Sequence, residues 1–403
     1  MIKKKLFLKN IIQKKYLNDR LNKKFLKNYP KIIKDINDNI DDTTKIYNVL
    51  DENFKFNFKI QDLKKFKKFN TIALIGIGGS ILGSEAIYDF LKKKIKKEIF
   101  FFDNIDEQKI LNFKKKINTN KTLFIVISKS GDTIETLSNF LYLNIVNNKN
   151  IILISEKNNN ALYAISKRFN FYYIEHKNCI GGRYSVLSEV GIVPAYLMGV
   201  NINKLRKNLN KFLTLNKNSF LRENAIKLAN ILHQRKLSNS IFINYIPELE
   251  KFLFWCQQLI AESLGKKGKG FFPVISNAPK DHHSLLQLYL DGPKDKIFNI
   301  FSIDQKSTGK LNTKKFTNKI NFLHNKNFNK IKIAQKDALI KALKEKQIPF
   351  REFKIQEIDE ETLGQLFSYF ILETIVVGKL IGINPFDQPA VEQVKKYTKK
   401  FLN

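Results

Sequence analysis

Cysteine is almost absent from this chain. Its 403 residues contain only Cys179 and Cys256, too few for a disulfide framework or a four-cysteine zinc site. Long hydrophobic runs are also missing. The uncharged stretch Val190 to Asn203 falls short of the roughly 20 residues that cross a bilayer. No apolar signal region follows Met1; the chain opens Met1-Ile2-Lys3-Lys4-Lys5 and stays punctuated by lysine. These absences predict a cytoplasmic protein without a membrane partner. Arginine is scarce too, at seven of the 71 basic residues. A net charge of +34 would ordinarily suggest a nucleic-acid partner, but bidentate phosphate and base readout relies on arginine. The surplus is lysine, accompanied by Asn, Ile and Phe, and no aromatic-basic interleaved motif appears. Lysine on solvated faces is the favoured explanation, so no nucleic-acid partner is expected. The charge should still steer anionic substrates toward the protein.

What is present suits a large α/β protein. Hydrophobic residues make up 43% of the chain, enough to bury a sizeable core over two or three domain lengths. Residues 1–70 show apolar positions at loose helical spacing, as in Leu8, Ile11 and Ile12, and read as a helical lead-in without local chemistry. Apolar strand-like runs then alternate with helical patterns. They lie at 71–75, 122–127, 151–154 and 171–174, then at 241–245, 297–301 and 350–355. Such alternation predicts mainly parallel sheets with both faces covered by helices. Two lobes are expected, at 71–210 and 211–383, followed by a stiff connector and a basic helix over 384–403. The helical pattern from Asp359 to about Gly382 could pass for a membrane span, but Glu373 and Lys379 interrupt it.

Two loops follow strands and lead into helices, where free N–H groups and the helix dipole favour anions. The first is Gly76-Ile77-Gly78-Gly79-Ser80; it lacks the G-x-G-x-x-G spacing and a Walker lysine, which disfavours a dinucleotide. The second is Ser128-Lys129-Ser130-Gly131-Asp132-Thr133, rich in hydroxyl donors with one cation, a set suited to a phosphate monoester. The same residues could equally make a tight turn and a helix cap. Glu262, in the mostly apolar helix Phe252 to Leu264, would have a raised pKa if desolvated, which suits a general base. It could also belong to an exposed polar face. The adjacent His282 and His283 lack the spacing of a metal site, so no metal and no cofactor are expected.

Six ordered motifs between residues 76 and 395 together resemble the glucose-6-phosphate isomerase family, built from two sugar-isomerase (SIS-type) domains. They are the two loops above, extended through Ile134-Glu135-Thr136, then Gly181-Gly182-Arg183-Tyr184-Ser185 and Gln258-Leu259-Ile260-Ala261-Glu262-Ser263. His283-Ser284 with Gln287-Leu288 follow, and Asn384-Pro385-Phe386-Asp387-Gln388-Pro389 with Lys395 closes the series. The resemblance implies reversible isomerisation of glucose 6-phosphate and fructose 6-phosphate in glycolysis and gluconeogenesis, through ring opening and a cis-enediolate. It implies that Ser128, Lys129, Ser130 and Thr133 hold the phosphate, with Gly79 and Ser80 beside them. Glu262 would be the base at C1 and C2, Arg183 the group stabilising the enediolate, and His283 the ring-opening acid/base. Glu135 would orient His283, while Gln388 and Lys395 would contact the sugar ring, the C-terminal helix thus completing the site. A homodimer with shared active sites is also implied. Asp132 departs from the family pattern, and its charge would oppose a phosphate unless it points outward. Ala390 and Gln393-Val394 depart from it in the last motif. Two rival readings are another aldose–ketose isomerase of the same superfamily and a non-catalytic sugar-phosphate sensor. The second has no use for Glu262, Arg183 and His283 together.

Overall fold

Ten strands build two five-stranded sheets in the computed structural model, which describes residues 5–305 and 307–402. In chain order they are β1 (Leu6–Ile11), β2 (Thr71–Ile75), β3 (Glu98–Phe102), β4 (Thr122–Ile127), β5 (Ile151–Ser155) and β6 (Tyr172–Glu175). The remainder are β7 (Asn239–Asn244), β8 (Phe272–Asn277), β9 (Lys296–Ile303) and β10 (Phe350–Ile355). The first sheet has the order β3-β2-β4-β5-β6 and is parallel throughout. The second has the order β1-β10-β9-β7-β8, parallel except for β1. Helices cover both, as the strand–helix alternation predicts.

The period-2 alternation of side chains divides each sheet between two cores. In the first sheet Ile72, Leu74, Leu123, Ile125, Ile152 and Ile154 face the large central core. Their neighbours Ala73, Ile75, Phe124, Val126, Ile151 and Leu153 face a smaller outer one. The second sheet divides likewise, with Phe242, Phe301 and Phe353 turned to the central core and Ile241, Ile243 and Ile300 turned away. Because both faces are covered, strands such as β4 read as unbroken apolar runs. The central core also takes up the helices Phe220–Gln234, Glu250–Leu264 and Glu360–Leu380. The last is long and apolar enough to cross a membrane, yet 94% of its most apolar window is buried inside the protein.

The lead-in needs correction: Leu6–Ile11 is a strand, not a helix. It runs antiparallel to β10, with Leu6 opposite Ile355 and Ile11 opposite Phe350. An edge strand buries little of itself, so its apolar alternation is faint, with Leu6 buried and Phe7 exposed. Its effect is to cover the open edge of β10. Lysine-rich residues 1–4 lie outside the described residues. β3 and β8 also went unread in the sequence, as a short phenylalanine run and a proline-containing segment.

Candidate active site

In the first sheet the strand order reverses between β2 and β4. Loops leaving the C-terminal ends of these neighbours run to opposite faces and open a crevice there. The two loops singled out in the sequence leave β2 and β4 at this point. They touch: a side chain at Gly76 would meet the Ile127 carbonyl at the end of β4. Gly131 needs its freedom, since its φ is +71° and a Cβ would stand 1.8 Å from Asn160 Oδ1.

Within the second loop the hydroxyls converge. Ser128 is buried and donates to Thr133 Oγ1 at 2.9 Å, and Ser130 Oγ lies 3.4 Å from the same oxygen. Thr133 is the N-cap residue of helix Ile134–Leu143, but its side chain does not cap the helix. The cluster therefore faces a helix N-terminus that no side chain has satisfied, an arrangement suited to an anion. Asp132 turns elsewhere, as its Oδ1 accepts the Ala161 N–H at 2.8 Å, at the start of helix Ala161–Phe169. Lys129 does not join the hydroxyls. Its ammonium donates to the Asn178 carbonyl at 2.9 Å and pairs with Glu156 at 3.6 Å.

The Gly76–Ser80 loop links this cluster to a second one. A Cβ on Gly79 would stand 2.2 Å from the Gly182 carbonyl carbon, so only glycine allows the loop to lie against the segment carrying Arg183. Gly78 likewise abuts the Gln258 amide. Ser80 sits at the end of this loop, half-buried.

Arg183, 2% exposed, is the hub. Nε donates to Ser263 Oγ at 2.7 Å, and Nη2 donates to the Pro385 and Asp387 carbonyls at 2.6 and 3.1 Å. Nη1 donates to Gln388 Oε1 and to Glu262 Oε2, the latter at 3.3 Å. All five guanidinium N–H groups are thus engaged, and the bond to Glu262 is the longest. Glu262 is 28% exposed, so it is only partly desolvated; Gln258 Nε2 holds its other oxygen at 3.0 Å. Tyr184 hydrogen-bonds Ser263 and the Pro385 carbonyl, and burial pushes its phenol pKa up. Lys266 grips the same connector at the Asn384 and Asp387 carbonyls and at the Asp387 carboxylate, which it holds below the usual carboxylate range.

The structure therefore brings Arg183, Glu262 and Gln388 together, across both lobes and the connector. Lys395 and Glu135 line a separate groove of about 470 Å³ with Ile77, Ser130 and Thr133, beneath helix Pro389–Leu402. Lys395 is exposed and pairs with Glu392 at 2.8 Å. His283 lies beyond the C-terminal end of β8, exposed, and no hydrogen bond joins it to Glu135 among the described residues. Gln258, Ser263 and Lys266 went unassigned in the sequence. The first was legible in principle, standing one helical turn before Glu262; Lys266 lay outside every motif. No group of three or more His, Cys, Asp or Glu able to hold a metal occurs among the described residues. A carboxylate against a buried cation, near hydroxyl donors at a helix N-terminus, suits proton transfer at a carbon beside a developing oxyanion in a phosphorylated substrate.

A sequence model of the phosphoglucose isomerase family matches residues 27–403. A probable glucose-6-phosphate isomerase of Methanococcus maripaludis is 35% identical over 377 residues, covering 88% of this chain and 83% of its own. The glucose-6-phosphate isomerase of Mycoplasmopsis pulmonis is 30% identical over 423 residues, covering 96% and 98%. Among solved structures, a hypothetical protein from Thermus thermophilus superposes with TM-score 0.82 at 23% identity, over 98% of this chain and 100% of that one. A glucose-6-phosphate isomerase from Chlamydia trachomatis gives 0.71 at 19% identity, over 84% and 71%. At these identities the structures speak for the fold alone.

Proposed function

The chain belongs to the phosphoglucose isomerase family, and on that premise we propose that it interconverts glucose 6-phosphate and fructose 6-phosphate through a cis-enediolate. Starting from fructose 6-phosphate, the hydroxyls of Ser128, Ser130 and Thr133 and the N-terminus of helix Ile134–Leu143 hold the phosphate. His283 opens the ring. Glu262 removes the proton from C1, and the negative charge that develops on the enediolate oxygens faces the fixed charge of Arg183. A substrate oxygen can replace the long bond from Arg183 Nη1 to Glu262, freeing that carboxylate to act as base. Protonated Glu262 then returns the proton to C2 while the hydroxyl proton on O1 passes to O2, leaving the aldehyde at C1. Gln388, Gly79 and Ser80 border the sugar, while Lys395 and Glu135 approach from the groove.

The observation that carries this proposal is the 3.3 Å contact between Glu262 and buried Arg183. Phosphate binding alone would require neither. The names borne by the relatives favour glucose 6-phosphate over an amino-sugar or mannose phosphate. We also propose a cytoplasmic glycolytic and gluconeogenic enzyme, working as a homodimer in which His283 serves the partner's site. Purified protein given fructose 6-phosphate should produce glucose 6-phosphate, read by a coupled dehydrogenase, with unphosphorylated fructose a very poor substrate. Absence of glucose 6-phosphate would refute the assignment.

A further inference from the structure

Two adjacent histidines follow β8, and the fold treats them differently. His283 is exposed, and its side chain makes no hydrogen bond among the described residues. His282 is half-buried, its Nε2 lies 2.9 Å from the Tyr245 hydroxyl, and the two rings meet edge to face at 5.6 Å. Tyr245 directly follows β7 and is buried. Burial pushes its phenol pKa up, while burial and neighbouring His283 hold the His282 imidazole below its ordinary value. The contact ties the His282 ring to the end of β7 whichever of the two groups donates.

The rest of the loop is tied down as well. Asp281 Oδ2 accepts the Asn277 N–H at 2.7 Å, and its carbonyl accepts the Leu285 N–H at 2.8 Å. The Asn277 amide bridges Asn244 at 3.0 Å and Glu250 at 2.6 Å. Asp281 is thus held to β8 and His282 to Tyr245 beyond the end of β7, while Asn277 ties β8 to the helix that carries Glu262. Local packing alone has no need for a hydrogen-bonded imidazole next to an exposed one.

We infer that the Tyr245–His282 pair is a positioning device for His283, fixing the direction from which that imidazole meets the ring oxygen of a sugar phosphate. Neither residue touches substrate, and the inference rests on His283 being the ring-opening group. A displacement of about 1 Å in a reacting group can cost about 100-fold in rate. Tyr245→Phe removes only the hydroxyl, and His282→Ala removes its partner.

The test compares two ketose phosphates. Fructose 6-phosphate must be opened, whereas 5-deoxyfructose 6-phosphate lacks the hydroxyl that closes the ring and is always open. Tyr245→Phe and His282→Ala should lower kcat on fructose 6-phosphate by about tenfold to 100-fold. KM and turnover of the open-chain substrate should stay within about twofold, and His282→Gln, whose amide can donate or accept, should recover most of the loss. Equal losses on both substrates, or no loss on either, would overturn the positioning role. His283→Ala separates the two levels of inference. If it too fails to discriminate between the substrates, the ring-opening assignment falls; if it discriminates while the other two variants do not, only the positioning role falls.

Discussion

Thr133 receives hydrogen-bond contacts from both serines of its loop while leaving its helix uncapped. A residue built only as a cap would turn its oxygen to the helix N–H groups. Thr133→Ala should therefore weaken sugar-phosphate binding more than it weakens the fold. One lost donor to a charged acceptor is worth about 1.5–3 kcal/mol, or roughly tenfold to 100-fold in affinity. KM for fructose 6-phosphate and the inhibition constant of inorganic phosphate should rise together by that factor. Unchanged constants would reduce the loop to a structural turn. At this scale the sequence was partly legible. The hydroxyl loop and Glu262 stood out by their residue types after a strand and in an apolar helix, and Arg183 through its place in an ordered motif. What they do to one another was not legible, because the contacts of Arg183 span positions 183, 262 and 388. No local pattern shows that the arginine is fully engaged, or that Lys129 turns to Asn178 instead of the hydroxyls.

Between elements, the decisive approach is that of two glycine segments. Gly79 and Gly182 let the loop after β2 lie directly against the turn that carries Arg183. The nearest atoms are backbone, so a methyl group cannot be accommodated by a rotamer change. Gly79→Ala should cost about 1–3 kcal/mol of stability, seen as a lower denaturation midpoint. It should also lower kcat/KM beyond what Gly182→Ala does, since a Cβ there would meet only Gly79 Cα at 3.8 Å. Equal effects of the two substitutions would contradict the proposed role of the contact. Strands buried on both faces were readable because they are continuous apolar runs. β1 was not, since an edge strand with one buried face and many lysines carries little pattern. β8 was hidden by Pro273 and by its half-exposed side chains.

At the scale of the whole molecule, one chain gathers Glu262, Arg183 and the hydroxyl loop, but leaves His283 exposed at the end of the second sheet. Such a placement supports a two-fold assembly in which each chain completes the other's site. Two inactive proteins, Glu262→Ala and His283→Ala, provide the check. In a mixed dimer one site collects both defects and the other collects neither. Random pairing makes about half the dimers mixed, each with one intact site, so activity should return to about a quarter of wild type. No recovery after verified subunit exchange would exclude shared sites while leaving the isomerase assignment intact. The net charge of +34 acts at this scale too, attracting an anionic substrate over distances that salt then screens.

The central claim is that Glu262 carries a proton between C1 and C2. The most direct measurement is isomerisation of fructose 6-phosphate in deuterium oxide, with the product examined by proton NMR. With Glu262 28% exposed, part of the transferred protons should exchange with solvent, so glucose 6-phosphate should carry some deuterium at C2 beside protons handed over directly from C1. Glu262→Gln should lose turnover and deuterium incorporation together, by about 10²- to 10⁴-fold, while still binding a sugar-phosphate analogue. Glucose 6-phosphate formed at the normal rate by Glu262→Gln would contradict the account.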